Sequence, residues 1–239
     1  GEGCSVAALG LVPAEGGGSL TVVASVAMNQ DGRSASLSAP NGPAQEEAVS
    51  LALHMAGLCA KEVDFVECHG TGTALGDPIE VGALRATLLG ERPPVDASAL
   101  MLGAGKTNLG HLEAAAGLAG LFKIAASMEF GCAAPNQHLR ELSAHIAGEG
   151  ATLGLPQSTF DLWQSHQRCV DADQKHARLA AGISSFGFGG TNAHAVLRSR
   201  SNATRSRSQC RAKSKSQVAF LFPGMGSQQL GMGRCLYQA

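Results

Sequence analysis

A short apolar run, Val63–Cys68, ends on His69-Gly70-Thr71-Gly72-Thr73, and this junction constrains the fold more than any other stretch of the chain. A run this short, closed by glycines, reads as a buried strand that delivers His69 to its C-terminal end. Asp77-Pro78 then opens a helix, with Asp77 as its cap and Ile79, Leu84 and Leu88 facing inward. Leu100–Ala104 is a second buried strand, and Glu113–Phe130 is a helix so rich in Ala, Gly and Leu that it belongs at the centre of the domain. Upstream, Leu20–Ala27 is β-branched and strand-like, Asn29–Gly42 is loop, and Pro43 opens a helix that runs to Leu58. Between Pro135 and Ala181, around Trp163, the pattern weakens. Gly182–Leu197 then gives a strand, the Gly187-Phe188-Gly189-Gly190 turn and a final strand. Strands alternating with helices make the class α/β.

At 239 residues the chain could hold one large domain or two small ones. Aromatics make up only 4% of it against 31 glycines, so close small-residue contacts are expected in place of a large aromatic core. No apolar run reaches the length of a membrane span, and no signal-peptide pattern precedes the first strand. A start at Gly1 is what a fragment or a processed product would show. The 7 cysteines are odd in number and form no C-x-x-C pair, which argues against a disulfide framework or structural metal site and for a reducing, cytoplasmic setting.

Charge is unevenly spread. Residues 1–197 carry ten basic side chains against all 19 acidic ones, whereas 198–217 holds seven basic and no acidic residues. This Arg/Ser-rich stretch cannot bury a core and reads as a linker. Its charge also suits a nucleic-acid tail, but without aromatic interleaving and between two enzyme-like segments, no nucleic-acid partner is expected.

The chemistry gathers on two histidines. His69 stands where a strand gives way to a glycine loop, and His111 stands just ahead of a buried helix, five residues after Lys106. Two neutral imidazole N–H groups aimed at one carbonyl oxygen would stabilise an enolate as it forms, and a nearby lysine could order the pair or bias its protonation. Any single histidine is more often a surface or hydrogen-bonded core residue, as expected for His54, His138, His145, His166, His176 and His194.

Several segments together resemble the ketosynthase of modular type I polyketide synthases: Glu2–Cys4, Val26–Gly32, Ala39–Pro43, His69–Thr73, Gly76–Glu80, Lys106–Gly117 and Ser184–His194. The resemblance covers residues 1–197. It implies the C-terminal half of a thiolase-like fold, with layered helices and a mixed sheet. It also implies that His69 and His111 drive decarboxylation of a malonyl group, with Lys106 as electrostatic organiser. Thr71 and Thr73 would bind a phosphopantetheine arm. Phe188, between Gly187, Gly189 and Gly190, would gate the acyl pocket and lend a backbone N–H to an oxyanion hole. No directly bound cofactor is implied, since substrates arrive on the phosphopantetheine of an acyl carrier protein. Malonyl and acyl thioesters are the implied ligands, and the intact parent would be a homodimer. A shorter resemblance, Phe220–Gln228, is to the first strand and turn of an acyltransferase, which gives a third segment at 218–239.

The family's nucleophilic cysteine lies on a sharp turn among small residues in the half that would precede this one. Cys68 adjoins His69, but neighbouring strand residues point to opposite faces, so a small buried hydrophobe is expected there. Cys4 is flanked as a strand entrance would be. The chain alone is therefore expected not to condense. The competing reading is a non-catalytic ketosynthase-like remnant that only binds partners.

Overall fold

The computed structural model describes residues 1–11, 21–34, 39–90, 100–146, 153–162 and 178–199. Trp163, the basic stretch beyond Ser199 and the Phe220–Gln228 segment lie outside the described residues.

In chain order the elements are β1 (Thr21–Gln30), α1 (Gly42–Ala56), β2 (Phe65–Glu67), α2 (Gly76–Leu88), β3 (Leu100–Gly103), α3 (Lys106–Leu109), α4 (Ala116–Phe130), β4 (Cys132–Ala133), β5 (Leu153–Gly154), β6 (Phe160–Asp161), β7 (Ala180–Phe186) and β8 (Thr191–Ser199). Six strands form one mixed sheet in the order β1-β8-β7-β2-β3-β5, and β4 pairs with β6 beside it. β2 runs parallel to β3 and β7, whereas β8 is antiparallel to both β7 and β1. α2 is the crossover that parallel pairing of β2 with β3 requires.

Side-chain alternation along the strands separates two apolar clusters. Val66, Leu102, Ala180 and Val196 pack with Val49 and Leu53 of α1 and with Leu84 and Leu88 of α2. Their neighbours Phe65, Met101, Ala181 and Leu197 pack with Ile124 and Met128 of α4. The central strands are therefore buried on both faces, which is why β2 and β3 read as unbroken apolar runs.

Local chemistry fixes the helix ends. Asn41 caps α1 by accepting the Ala44 N–H at 3.3 Å, and Gly57, at φ +63°, ends it. Asp77 does not cap α2. It lies in the first turn, and its Oδ1 accepts the Gly72 N–H at 3.0 Å, while Thr73 Oγ1 accepts the Gly76 N–H at 3.0 Å. The loop in front of the helix thus takes the carboxylate that the sequence assigns to the cap.

Three other expectations shift. β1 continues through Asn29 and Gln30, because these polar residues pair with Asn192 and Thr191 of β8. β8 itself continues through Arg198 and Ser199. The helix expected at the domain centre covers only one face of the sheet. α4 buries Gly120, Ile124, Ser127 and Met128 but leaves Phe122 42% and Phe130 62% exposed. An apolar helix surface states what could be buried and not what lies against it.

Packing around β7 yields a paired prediction. A Cβ on Gly182 would lie 2.7 Å from Nε2 of buried His194, whereas a Cβ on Gly82, mid-way along α2, meets nothing within 4 Å. Gly182→Ala should destabilise the chain by about 1–3 kcal/mol through overpacking. Gly82→Ala should stabilise it by about 0.5–1 kcal/mol through helix propensity. Urea unfolding of the two variants reads both signs.

Candidate functional site

Parallel strands bring their C-terminal ends together, and the site forms there. β2 delivers His69, β3 leads through Gly103-Ala104-Gly105 to Lys106, and β7 ends at Phe186 before the Gly187–Gly190 turn. The His69 and His111 rings meet edge to face, with centroids 6.0 Å apart and planes at 86°. Phe186 also packs against His69, with ring centroids 5.8 Å apart.

The backbone at His69 is held at both of its polar atoms. Glu80, on α2, accepts the His69 N–H at 2.6 Å through Oε1 and the Gly70 N–H at 2.9 Å through Oε2. Lys106 Nζ donates to the His69 carbonyl oxygen. Gly70 sits at φ +50°, where a Cβ would come within 2.9 Å of the Ala104 side chain, so this clamp needs glycine. A second carboxylate fixes the loop from β3. Glu67 accepts the Gly105 N–H and pairs with Lys123 of α4 at 2.7 Å.

The site's electrostatics keep the imidazoles neutral. Burial, then the Lys106 charge, then His111 push the His69 pKa down to about 4. Burial and Lys106 also lower that of His111. Burial pushes the Glu80 carboxyl up to about 7 despite its two backbone hydrogen bonds, and burial lowers the Lys106 ammonium. The Glu113 N–H donates to His111 Nδ1 at 2.9 Å, so a neutral His111 carries its proton on Nε2. Glu113 reaches that position at φ +50°, a left-handed conformation uncommon for a residue with a side chain.

Both imidazoles line a cavity of about 520 Å³ together with Thr71, Thr73, Phe186, Gly187 and Phe188. This volume lies within the range of small-molecule sites. Thr71 and Thr73 are exposed and their hydroxyl oxygens are 3.4 Å apart. Thr73 Oγ1 accepts from Gly76, which leaves its proton free to donate. Phe188 lines the cavity but is 85% exposed. In the turn, Gly190 (φ +86°) donates to Gly187 O at 2.9 Å, and Gln30 Nε2 donates to Gly189 O at 2.7 Å. The structure thus brings His69, His111, Lys106, Thr71, Thr73 and the Phe188 turn to one place.

Sequence reasoning missed Glu80 and Phe186. Glu80 stands in the Gly76–Glu80 segment, just past the first turn of α2, and its role of holding two backbone N–H groups leaves no mark in the sequence. Phe186, two residues before Phe188, was visible only as the end of a strand. Among the described residues no group of three His, Cys, Asp or Glu side chains could hold a metal ion, and no helix is long and apolar enough to cross a membrane. Among the same residues no cysteine lines the imidazole cavity. Cys4 and Cys59 are exposed, Cys132 is half-buried, and the half-buried Cys68 thiol is pushed well up by burial and by Glu80 and Glu67.

These shifts fix a pH dependence. His69 and His194 have folded values of about 4, below the ordinary 6.5, so the unfolded chain binds more protons between those limits. Their contribution is fully present above pH 6.5 and is lost as pH falls towards 4. Glu80, raised from 4.5 to about 7, acts oppositely, its contribution being lost as pH rises through that interval. His194, 1% exposed, outweighs the part-solvated His69. Unfolding free energy should therefore rise by about 1 kcal/mol per pH unit between about pH 4.5 and 6.5. Glu80→Gln should steepen that rise, as read by denaturant unfolding across the interval.

Residues 20–140 match the model of the beta-ketoacyl synthase C-terminal domain, and residues 156–238 match that of the ketoacyl-synthetase C-terminal extension. The second match runs through the basic stretch and Phe220–Gln228. The chain is 46% identical over 178 residues to a phenolphthiocerol/phthiocerol polyketide synthase of Mycobacterium tuberculosis, covering 74% of the chain and 9% of that protein. It is 44% identical over 197 residues to erythronolide synthase EryA2 of Saccharopolyspora erythraea, covering 80% of the chain and 5% of that protein. The chain thus spans less than a tenth of the length of these relatives. Among solved structures, the oxazolomycin ketosynthase domain OzmH KS7 of Streptomyces albus superposes with a TM-score of 0.67 at 32% identity, over 76% of this chain and 30% of that one. The ketosynthase from module 6 of the bacillaene synthase of Bacillus subtilis gives 0.66 at 30% identity, over 76% and 31%.

Proposed function

Because this chain belongs to the β-ketoacyl synthase family through its C-terminal domain, we propose that it forms the decarboxylating wall of a condensing site for polyketide assembly. The observation that carries this reading is the pair of neutral imidazoles, 6.0 Å apart, beside a cavity at the ends of parallel strands. A malonyl thioester bound there loses CO₂ as the electron pair of its C–COO⁻ bond moves into the thioester carbonyl. The enolate oxygen that results is held by the imidazole N–H groups. Its carbon then attacks an acyl thioester, and a thiolate leaves as the new C–C bond forms.

Each chemical residue has a role in this sequence. His111 donates from Nε2, the tautomer fixed by Glu113. His69 donates from the clamped loop. Lys106 holds that loop and biases both rings against protonation. Thr71 and Thr73 at the rim take the polar phosphopantetheine arm. Phe188, with Gly187, Gly189 and Gly190, forms the movable cover of the acyl side and supplies an oxyanion donor. The carrier of both substrates is an acyl carrier protein, and the working assembly is a homodimer in the cytoplasm. The acyl group waits on a cysteine, which none of the described residues supplies to the cavity. A linker up to 217, shortened at its start by the two residues that β8 takes, and an acyltransferase start at 218–239, read from Phe220–Gln228, complete the proposed organisation.

The test is CO₂ release from malonyl-N-acetylcysteamine by the chain. His69→Ala and His111→Ala should each lower the rate by about a hundredfold, the size expected for loss of one oxyanion donor. A rate unchanged in both variants overturns the reading. Intact-mass measurement after incubation with an acyl thioester should show no stable adduct, and acylation of Cys4 or Cys68 would overturn the assignment of the nucleophile elsewhere.

A further inference from the structure

We propose that the Gln45 carboxamide hydrogen-bonds a hydroxyl on the acyl chain of the bound thioester, so that this cavity prefers hydroxyacyl groups to unsubstituted ones. Gln45 stands in the first turn of α1, is 2% exposed, and lines the same cavity as His69 and His111. Its Oε1 is buried and has no partner among the described residues. Apart from His69 Nδ1, which is also buried without a partner, the other polar side chains nearby are committed. Asn192 donates to Asn29 and Asp31, Asn29 donates to the Ala44 carbonyl, and Glu80 accepts from His69 and Gly70.

A buried amide left unpaired costs about 1–3 kcal/mol, so such a group is most simply explained by a ligand that completes it. The exposure gradient says which part of the ligand does so. Thr71, Thr73 and Phe188 at the cavity rim are exposed, whereas Gln45 and Asn192 are buried. A thioester entering arm-last places its acyl chain inward, against Gln45, and its polar arm at the rim. Hydroxyl chemistry fits best because an O–H both donates and accepts, and so pairs with either orientation of the amide. A ketone or an amide N–H pairs with only one.

This inference rests on the condensing reading, and its test separates the two. Calorimetric titration of the chain would compare 3-hydroxybutyryl- with butyryl-N-acetylcysteamine. Wild type should bind the hydroxyacyl thioester about tenfold more tightly, the effect of one hydrogen bond completed at a buried group. Gln45→Leu should bind both alike, while Gln45→Glu, which keeps an acceptor of the same shape, should retain the preference. Circular dichroism checks folding of both variants, and the two ligands on wild type decide the question without either. Equal wild-type affinities mean that water serves Gln45, and they overturn the inference while leaving the condensing reading intact. Failure of both thioesters to bind overturns the condensing reading and the inference with it.

Discussion

The hold on the His69 peptide is the interaction on which the rest of the site depends. An anion takes its N–H and the next one, and a cation takes its carbonyl oxygen. These charges come from different elements, Glu80 from α2 and Lys106 from the segment after β3. The strand-loop-helix crossover is therefore tied to the neighbouring strand at the point where the chemistry lies. Burying a carboxyl here is unfavourable, and the raised Glu80 pKa records that cost. Two backbone hydrogen bonds offset part of it, and the imidazole is carried on a fixed main chain as a result.

The same arrangement explains why the imidazoles are suited to donation. Lys106 is close enough to disfavour protonation of both rings. A histidine bearing a full charge would hold a carboxylate ground state as readily as an enolate. A neutral ring with its proton on the outward nitrogen answers mainly to charge that develops during reaction. The left-handed turn at Glu113 belongs to this design, since it folds the backbone N–H onto His111 Nδ1.

Much of the fold was legible because burial on both sheet faces writes β2 and β3 as continuous apolar runs. The glycines after His69 likewise marked a strand end with a purpose. What escaped was relational. Asp77 looked like a cap because its position before Pro78 is right for one, but the Gly72 N–H lay nearer to its carboxylate. Asn29 and Gln30 looked like loop because polar residues are turn-formers, yet β8 offered them partners in register. Glu80 was invisible as a site residue because its role is to hold two main-chain amides, and amides carry no sequence signal. Gln45 was hidden for a related reason, since an amide one turn into a helix reads as surface until the cavity beside it is known.

The helix α4 carries one more consequence. Its outward aromatic rings, Phe122 and Phe130, share the molecule's surface with Val26 and Met28 from β1. A face of this kind governs colloidal behaviour independently of fold stability. Chains that keep such side chains uncovered attract one another more strongly as concentration rises, whatever the strength of the core beneath them.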